Sequence, residues 1–276
     1  MIAQQLQTIA EEFTRTSPAN IVPEGKALRP NIAGMRIYEE PIFGYASPND
    51  SYLESLKGSG ANMDELLLPC EWMPGAKTLI SFFLPFTLQV RNSNKYDMDW
   101  PSPEWLHARI EGQEFIGALT KHLQSRLADE GFTSVAPSFD QRFRSRSSIP
   151  SDEFPLSRTF TSNWSERHAA YACGLGTFCL SKGMITRKGV AGRFGSLLTD
   201  LALPASPRPY LSLEEYCIRC GVCAKNCPAG AISLEKGKDH IPCKLFVDKT
   251  QASEHPYYGC GKCQVGVPCE AGIPGY

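Results

Sequence analysis

Eleven cysteines stand in this 276-residue sequence, and eight of them fall between Cys217 and Cys269. The first run is Cys217-x2-Cys220-x2-Cys223-x3-Cys227-Pro228. A [4Fe–4S] cubane presents four irons at tetrahedral corners. Three thiolates two residues apart wrap three of them from one tight loop, and the fourth cysteine of such a run leans away to ligate a second cluster. The second run is looser: Cys243, then Cys260-x2-Cys263-x5-Cys269, with Pro268 before the last. By this crossover Cys217, Cys220, Cys223 and Cys269 hold one cluster, and Cys227, Cys243, Cys260 and Cys263 hold the other. Zinc is the competing metal, but it favours CxxC pairs across a spacer and has no use for a CxxCxxCxxxCP run. A disulfide framework fits no better, since it would leave only Cys70, Cys173 and Cys179 before the run. Two cubanes lying near one another form an electron wire, which implies a redox reaction.

The elements that must carry such a module are partly legible. Ile2 to Phe13 predicts an amphipathic helix with Ile2, Leu6, Ile9 and Phe13 on one side. Pro18 to Asp50, rich in Pro, Gly and Asn, reads as irregular. Thr78 to Leu84 is continuously apolar or small, as in a strand covered on both faces. Ser102 is an N-cap with Pro103 at the first helical position, and the helix carries Leu106, Ile110, Ile116, Leu119, Leu123 and Leu127 until Gly131 ends it. Phe132 to Ala136 predicts a strand. Asn163 and Glu166 suggest a capping box for a short helix ended by Gly174. A further strand lies within Phe194 to Leu203, and Pro204 to Pro209 reads as a linker. The expectation is an α+β fold in two parts: a cofactor-binding domain over residues 1–205 and a ferredoxin-like two-cluster module over residues 206–276.

Hydrophobic residues make up 42% and charged residues 21%, as in a globular chain, and the formal net charge is −1. A dedicated nucleic-acid binder usually shows a basic excess, so the balance argues against one. No apolar run approaches membrane-spanning length, and the start shows no basic leader or twin arginine, so the chain reads as cytoplasmic with no membrane partner.

Upstream of the cysteines runs NWSERHAAYACGLGTFCLSKGMITRKGVAGRFGSLLTDLALP. It resembles the segment that precedes the two clusters of epoxyqueuosine reductases and reductive dehalogenases. There an ER-x2-A-x3-G-LG run leads into a Gly-Ser strand ending in Thr-Asp; Glu166, Arg167, Ala170, Gly174, Leu175, Gly176, Gly195, Ser196, Thr199 and Asp200 fit that outline. LLLPCEWMPGAKTLISFFLPF also looks like the first core strand of those proteins, so the resemblance covers Met63 to the C-terminus. It implies a nitroreductase-like domain that binds a corrinoid (cobalamin), fed with electrons by the clusters. It assigns cofactor contacts to Gly174, Leu175, Gly176, Gly195 and Ser196; at Gly174 and Gly176 a backbone without side chains can approach a flat macrocycle closely. Read from the helix alone, Gly174 is a C-cap.

Departures bear on the substrate. Epoxyqueuosine reductases carry an acidic proton donor shortly before the Glu-Arg pair, whereas Thr159 to Trp164 contains no carboxylate. Thr177 to Ser181 replaces their aromatic and Gly-Lys-Asn steps, and the sequence given stops at Tyr276 without their helical-repeat extension. Epoxyqueuosine in tRNA is therefore not the expected substrate, and the catalytic residues stay unassigned. The reading is a reductase that takes electrons from a low-potential donor such as ferredoxin or flavodoxin. The alternatives are a corrinoid-handling or electron-transfer protein serving a corrinoid-dependent partner, and a reductase holding FMN on the same scaffold. Arg142, Arg144 and Arg146 read as a solvated face or a phosphate contact. His168 is a packed histidine or a cobalt ligand. Cys173 and Cys179 are buried thiols or cofactor contacts, and Cys70 is structural. Trp72, Trp100, Trp105 and Trp164 belong to the core or line a pocket.

Overall fold

In the computed structural model, which describes residues 2–57, 65–148, 150–151 and 159–275, the apolar run after Lys77 is a central strand. Met63 and Asp64, at the start of the resembling segment, lie outside the described residues. Helix α1 (Ala3–Thr16) leads through three 3-10 turns (Pro18–Asn20, Glu24–Lys26, Pro30–Ile32) to β1 (Ile42–Ala46). Then come α2 (Ser51–Leu56), α3 (Pro69–Trp72), β2 (Thr78–Pro85), α4 (Leu88–Ser93) and the long α5 (Pro103–Asp129). The short strands β3 (Ser134–Val135), β4 (Ser145–Ser147) and β5 (Phe160–Ser162) precede α6 (Glu166–Ala172). The hairpin β6 (Gly176–Phe178) and β7 (Met184–Thr186) leads to β8 (Gly192–Thr199). The cysteine-rich part contains α7 (Val222–Lys225), the small ladder β9 (Ile232–Ser233) and β10 (Gly237–Lys238), and α8 (His240–Glu254).

The main sheet has the order β1-β2-β8-β3, with every pairing antiparallel. All of β2 is buried. Successive side chains of a strand point to opposite faces. Ile80, Phe82 and Leu84 therefore enter the core built with α1 and α5, while Leu79 and Phe83 meet residues of α6 on the other face. The result is an α+β layering of helices on both sides of an antiparallel sheet. The start of α5 follows the sequence reading: the Ser102 hydroxyl accepts from the Trp105 amide at 3.2 Å, and Gly131 takes a left-handed φ of 82° just past the end.

Several elements differ from the sequence reading. The stretch from Pro18 to Asp50 contains β1, an edge strand whose Pro- and Gly-rich flanks masked it. The expected strand from Phe132 to Ala136 contracts to β3, because only Ser134 and Val135 meet β8. The cap of α6 is Ser165, whose hydroxyl accepts from the His168 amide at 3.5 Å. Asn163 is instead drawn to the Arg142 carbonyl and the Arg144 amide, both at 2.8 Å. The stretch from Pro204 to Pro209 runs beside β1, with the Ser206 amide on the Tyr45 carbonyl at 2.9 Å and the Ser206 hydroxyl accepting from the Tyr45 amide at 3.0 Å. Helix α8 was not foreseen. No helix among the described residues is long and apolar enough to cross a membrane.

Because β3 pairs only with Leu198 and Thr199, the rest of β8 has an open edge on that side among the described residues. The chain after β7 ties this region to the C-terminal segment: the Val190 amide donates to the Cys269 carbonyl at 2.9 Å, and the Ala191 amide to the Glu270 carbonyl at 3.2 Å. Phe82 tests the sheet. Its ring lies against Gly195, where an added Cβ would come within 2.4 Å of it. Phe82→Ala should lower unfolding free energy by about 3–5 kcal/mol, read as an earlier midpoint in urea. A loss below 1 kcal/mol, well under that range, would show that this layer is not tightly packed.

Candidate functional site

The eight clustered cysteines divide between two hollows. Cys217, Cys220, Cys223 and Cys269 line a small one, with Ile185, Val267 and Pro268. Cys227, Cys243, Cys260 and Cys263 line a large one. Local structure explains the division. The loop from Cys217 turns at Arg219 (φ 48°) and Gly221 (φ 76°) before α7 carries Cys223 onward. Cys227 then leaves the loop, and α8 presents Cys243 from its first turn. No three His, Cys, Asp or Glu side chains among the described residues converge on one ion position. Each cubane thiolate takes a different iron, so cubane ligands stand farther apart than the ligands of a single ion. Burial pushes the thiols of Cys223, Cys260 and Cys269 up to about 12. Metal binding must therefore displace their protons.

The large cavity, about 1040 Å³, exceeds the size of common small-ligand sites, which reach about 1,000 Å³. It lies between the open edge of β8 and the second set of cysteines. Gly192, Arg193 and Phe194 come from β8, Trp105 and Arg109 from α5, and Glu166 and Arg167 from the start of α6. Cys227, Cys243, Cys260 and Cys263 form the opposing part of the wall. Asn94 fastens the two sides. Its side-chain amide donates to the Cys260 carbonyl at 2.9 Å, and its Oδ1 accepts from the Ser102 amide at 3.0 Å. The buried Lys262 ammonium donates to Asn94 Oδ1 at 2.7 Å and to its carbonyl at 2.8 Å. Burial lowers Lys262 to about 8.

Glu166 is the carboxyl group of this wall with a distinct electrostatic state. Ser138, also in the wall, donates to its Oε1 at 2.5 Å. Its Oε2 is buried without a hydrogen-bond partner. Burial raises its pKa above the ordinary 4.5, and the neighbouring Ser138, Ser196 and Trp164 only partly offset that. A neutral acid is the form that such a site favours. Arg167 has exposed surface, but that surface faces the cavity and the side chain is otherwise ringed by protein, so burial lowers its pKa. Its guanidinium donates to the Lys182 carbonyl.

With this geometry in view, the likenesses to known proteins are informative. The 4Fe-4S binding domain family matches residues 213–233. Residues of this chain are 40% identical over 90 positions to a tetrachloroethene reductive dehalogenase of Desulfitobacterium hafniense, covering 32% of this chain and 15% of that protein. They are 32% identical over 103 positions to a trichloroethene reductive dehalogenase of Dehalococcoides mccartyi, covering 37% of this chain and 18% of that one. The matched stretch thus spans less than a fifth of these curated relatives. An epoxyqueuosine reductase from Streptococcus thermophilus superposes over 99% of this chain and 67% of its own, with TM-score 0.54 and 15% identity. An epoxyqueuosine reductase with a tRNA-Tyr stem loop superposes over 87% and 63%, with TM-score 0.52 and 16% identity. The chain shares the α+β fold of these epoxyqueuosine reductases and carries a 4Fe-4S binding motif at residues 213–233.

None of Gly174, Leu175, Gly176, Gly195 and Ser196 lines the large cavity. Gly174, at φ 78°, follows the end of α6, and a Cβ there would meet the Pro207 carbonyl at 2.4 Å. A Cβ on Gly176 would strike the Ile185 carbonyl at 2.0 Å across the β6–β7 hairpin. Gly195 lies under Phe82, Leu175 packs in the aromatic cluster of Tyr171 and Tyr210, and the Ser196 hydroxyl accepts from Trp164 Nε1 at 3.0 Å. At each of these glycines an added Cβ would come within 2.4 Å of the protein's own chain.

Other residues weighed from the sequence also find places. His168 lies off the large cavity, with Nδ1 2.5 Å from the Tyr52 hydroxyl, and burial lowers it to about 4. Arg142 pairs with Asp140 and stacks on Trp72. Arg144 donates to the Gln141 and Phe143 carbonyls, and Arg146 lies 3.9 Å from Glu65. Trp72 and Trp164 pack edge to face, Trp100 meets Phe246, and of the four only Trp105 lines the large cavity. Cys173 is buried with its thiol toward the Leu79 carbonyl. Cys179 packs beside Cys217, Cys223 and Cys269, and Cys70 is exposed. The cavity arginines Arg109 and Arg193 and the environment of Glu166 escaped the sequence reading. Only the ER pairing of Glu166 and Arg167 signalled any part of them.

The Glu166 environment predicts a pH effect with a definite sign. A carboxyl whose folded pKa lies above its unfolded value retains its proton longer in the native state, so stability falls as pH rises from about 4.5 through the raised value. Glu166→Gln removes that loss. Thermal unfolding of the iron-reconstituted protein should show the variant gaining on the parent as pH increases toward neutrality. A constant offset between the two would contradict a raised pKa at Glu166.

Proposed function

We propose that this chain is a reductase in which two [4Fe–4S] clusters deliver electrons to a corrinoid held in the large cavity. The observation that carries the reading is the shared wall. Four cluster-type cysteines face the same chamber as the open edge of β8, the α6 carboxyl and the α5 arginine. The four cysteines of the small hollow would hold the outer cluster, nearer to an incoming donor such as ferredoxin or flavodoxin, since Cys220 is exposed.

The chamber suits a large amphipathic ring. Trp105, Phe86, Phe139, Phe194 and Met184 offer apolar surface, while Gln113, Gln264 and the cationic side chains offer polar partners at its margins. When bound, the clusters supply single low-potential electrons and the corrinoid supplies a cobalt centre able to act as a strong nucleophile or reductant. The protein's own part is to set the cluster ligands against the chamber and to hold the Glu166 carboxyl, with Ser138 on its Oε1, in the chamber wall. That acid offers an answer to the missing carboxylate at Thr159 to Trp164, the feature that favours a corrinoid-handling protein without turnover. Among the described residues no histidine lines the cavity, so the lining itself would offer a bound cobalamin no imidazole.

Anaerobic titration tests the chamber. Reconstituted protein should bind cobalamin stoichiometrically and show no nitrogen splitting in the paramagnetic cobalt spectrum. Uptake of FMN with refusal of cobalamin would move the assignment to a flavin reductase. The clusters have their own test. About eight irons and eight sulfides per chain should be bound, following the cubane arithmetic. Electron paramagnetic resonance of single Cys→Ala variants should group Cys217 with Cys269 and Cys227 with Cys243. Grouping Cys217 with Cys227 would refute the ligand division.

A further inference from the structure

The large cavity has a surplus of positive charge. Arg109, Arg167, Arg193, Lys238 and Lys262 line it, against Glu114 and Glu166. Glu114 is already engaged by Lys26 at 3.0 Å, and Glu166 is taken up by Ser138 at 2.5 Å. Three of the cations attend the cysteines. The field of Lys262 acts on Cys260, that of Lys238 on Cys263, and Arg167 is coupled to Cys263 and Cys179. No cysteine stands among the groups that act on Arg193, which feels burial first and then the charge of Arg109.

The Arg193 guanidinium reaches the backbone of Arg109 where β8 crosses α5. Arg193 shares the face of Leu197, which enters the α5 side of the core. Its Nη2 donates to Gln113 Oε1 at 2.6 Å and its Nη1 to the Arg109 carbonyl at 3.4 Å. Arg109 lies over the Tyr258 ring, 4.8 Å from its centroid, and donates to the Tyr258 hydroxyl at 3.2 Å. Each guanidinium has five N–H donors, so both retain free donors. Neither has a carboxylate partner among the described residues. Adjacent, partly desolvated like charges repel one another, and burial together with Arg109 lowers Arg193 to about 10. An anion between them would relieve that cost and use the planar forks for paired hydrogen bonds.

We propose that Arg109 and Arg193, positioned by Gln113 and Tyr258, form an oxyanion site in the large cavity that binds a carboxylate or phosphate group. This rests on the reading of that cavity as the ligand chamber, and it names the chemical class of what enters. The oxyanion has two sources: the acid group of a small organic substrate, or a phosphodiester on the tail of the cofactor.

Isothermal titration of the iron-reconstituted full chain with sodium benzoate, phenyl phosphate and the neutral isostere benzamide tests the site. Both anions should bind about tenfold or more tighter than benzamide, the scale of a charge-assisted hydrogen bond. Arg193→Gln and Arg109→Gln should each remove most of that preference while benzamide binding is unchanged. Iron content reports whether each variant has folded, and Arg193→Lys, which retains charge without the fork, should fall between parent and Gln variant. A cobalamin affinity exceeding that of phosphate-free cobinamide, lost in the variants, supports the cofactor source. Equal corrinoid affinities with benzoate still binding to the loaded protein support the substrate source. Equal binding of benzoate and benzamide by the parent, or unchanged anion binding in both variants, overturns the site. If the protein takes up corrinoid but shows no anion preference, the oxyanion site alone falls. If it prefers anions but takes up no corrinoid, the site stands and the corrinoid reading falls.

Discussion

The antiparallel pairing of β2 with β8 is the constraint on which the rest of the molecule depends. It runs from Thr78 opposite Thr199 to Pro85 opposite Gly192. Its register decides which side chains face α5 and which face α6, since a slip of one residue would exchange the two sets. The same register places Phe82 over Gly195 and sends Arg193 toward Arg109. It also leaves one edge of β8 open, because β3 covers only its last two residues. An uncovered edge is a liability in a sheet unless something occupies it. Here the large cavity lies beside that edge.

The cysteine-rich segment is held to this frame by polar contacts that are themselves buried. Asn94 joins the Cys260 loop to the start of α5, and Lys262 is folded back onto Asn94. Glu270 receives Arg91 and Lys95 at 3.4 and 2.8 Å, while the backbone around it pairs with Val190 and Ala191. Gly261, at φ 71°, lets the loop pass the Trp105 ring, which a Cβ would strike at 2.0 Å. A buried ammonium without its partners would carry a heavy desolvation cost. The position of the cysteine loops against the cavity is therefore tied to the integrity of α4 and α5.

The cavity combines an acid whose pKa burial raises, an excess of guanidinium and ammonium groups, and a wall of thiols. Thiolates on iron would bring negative charge to one side, and Lys262 and Lys238, which act on Cys260 and Cys263, are placed to balance it. The arginine pair lies outside that balance. Charge compensation is thus local: each part of the wall matches the charge it would meet.

The sequence by itself determined the thiol chemistry, because the CxxCxxCxxxCP spacing is a local property of one loop and needs no knowledge of the fold. It also determined β2, whose continuous apolar run suits only a strand covered twice, and α5, whose cap, periodicity and terminal glycine agree. It did not reveal β1, whose pairing with β2 is long-range, or α8, whose polar turns carry little periodic signal. The glycines at 174, 176 and 195 were legible as sites of close approach. Whether a cofactor or the chain itself does the approaching is a matter of tertiary neighbours, and here the neighbours are Pro207, Ile185 and Phe82. Glu166, Arg109 and Arg193 stand far apart in sequence, and no spacing rule joins them. Only the packing of α5, α6 and β8 around one cavity gives them a common environment, since desolvation and unpaired charge are properties of surroundings and not of residue type.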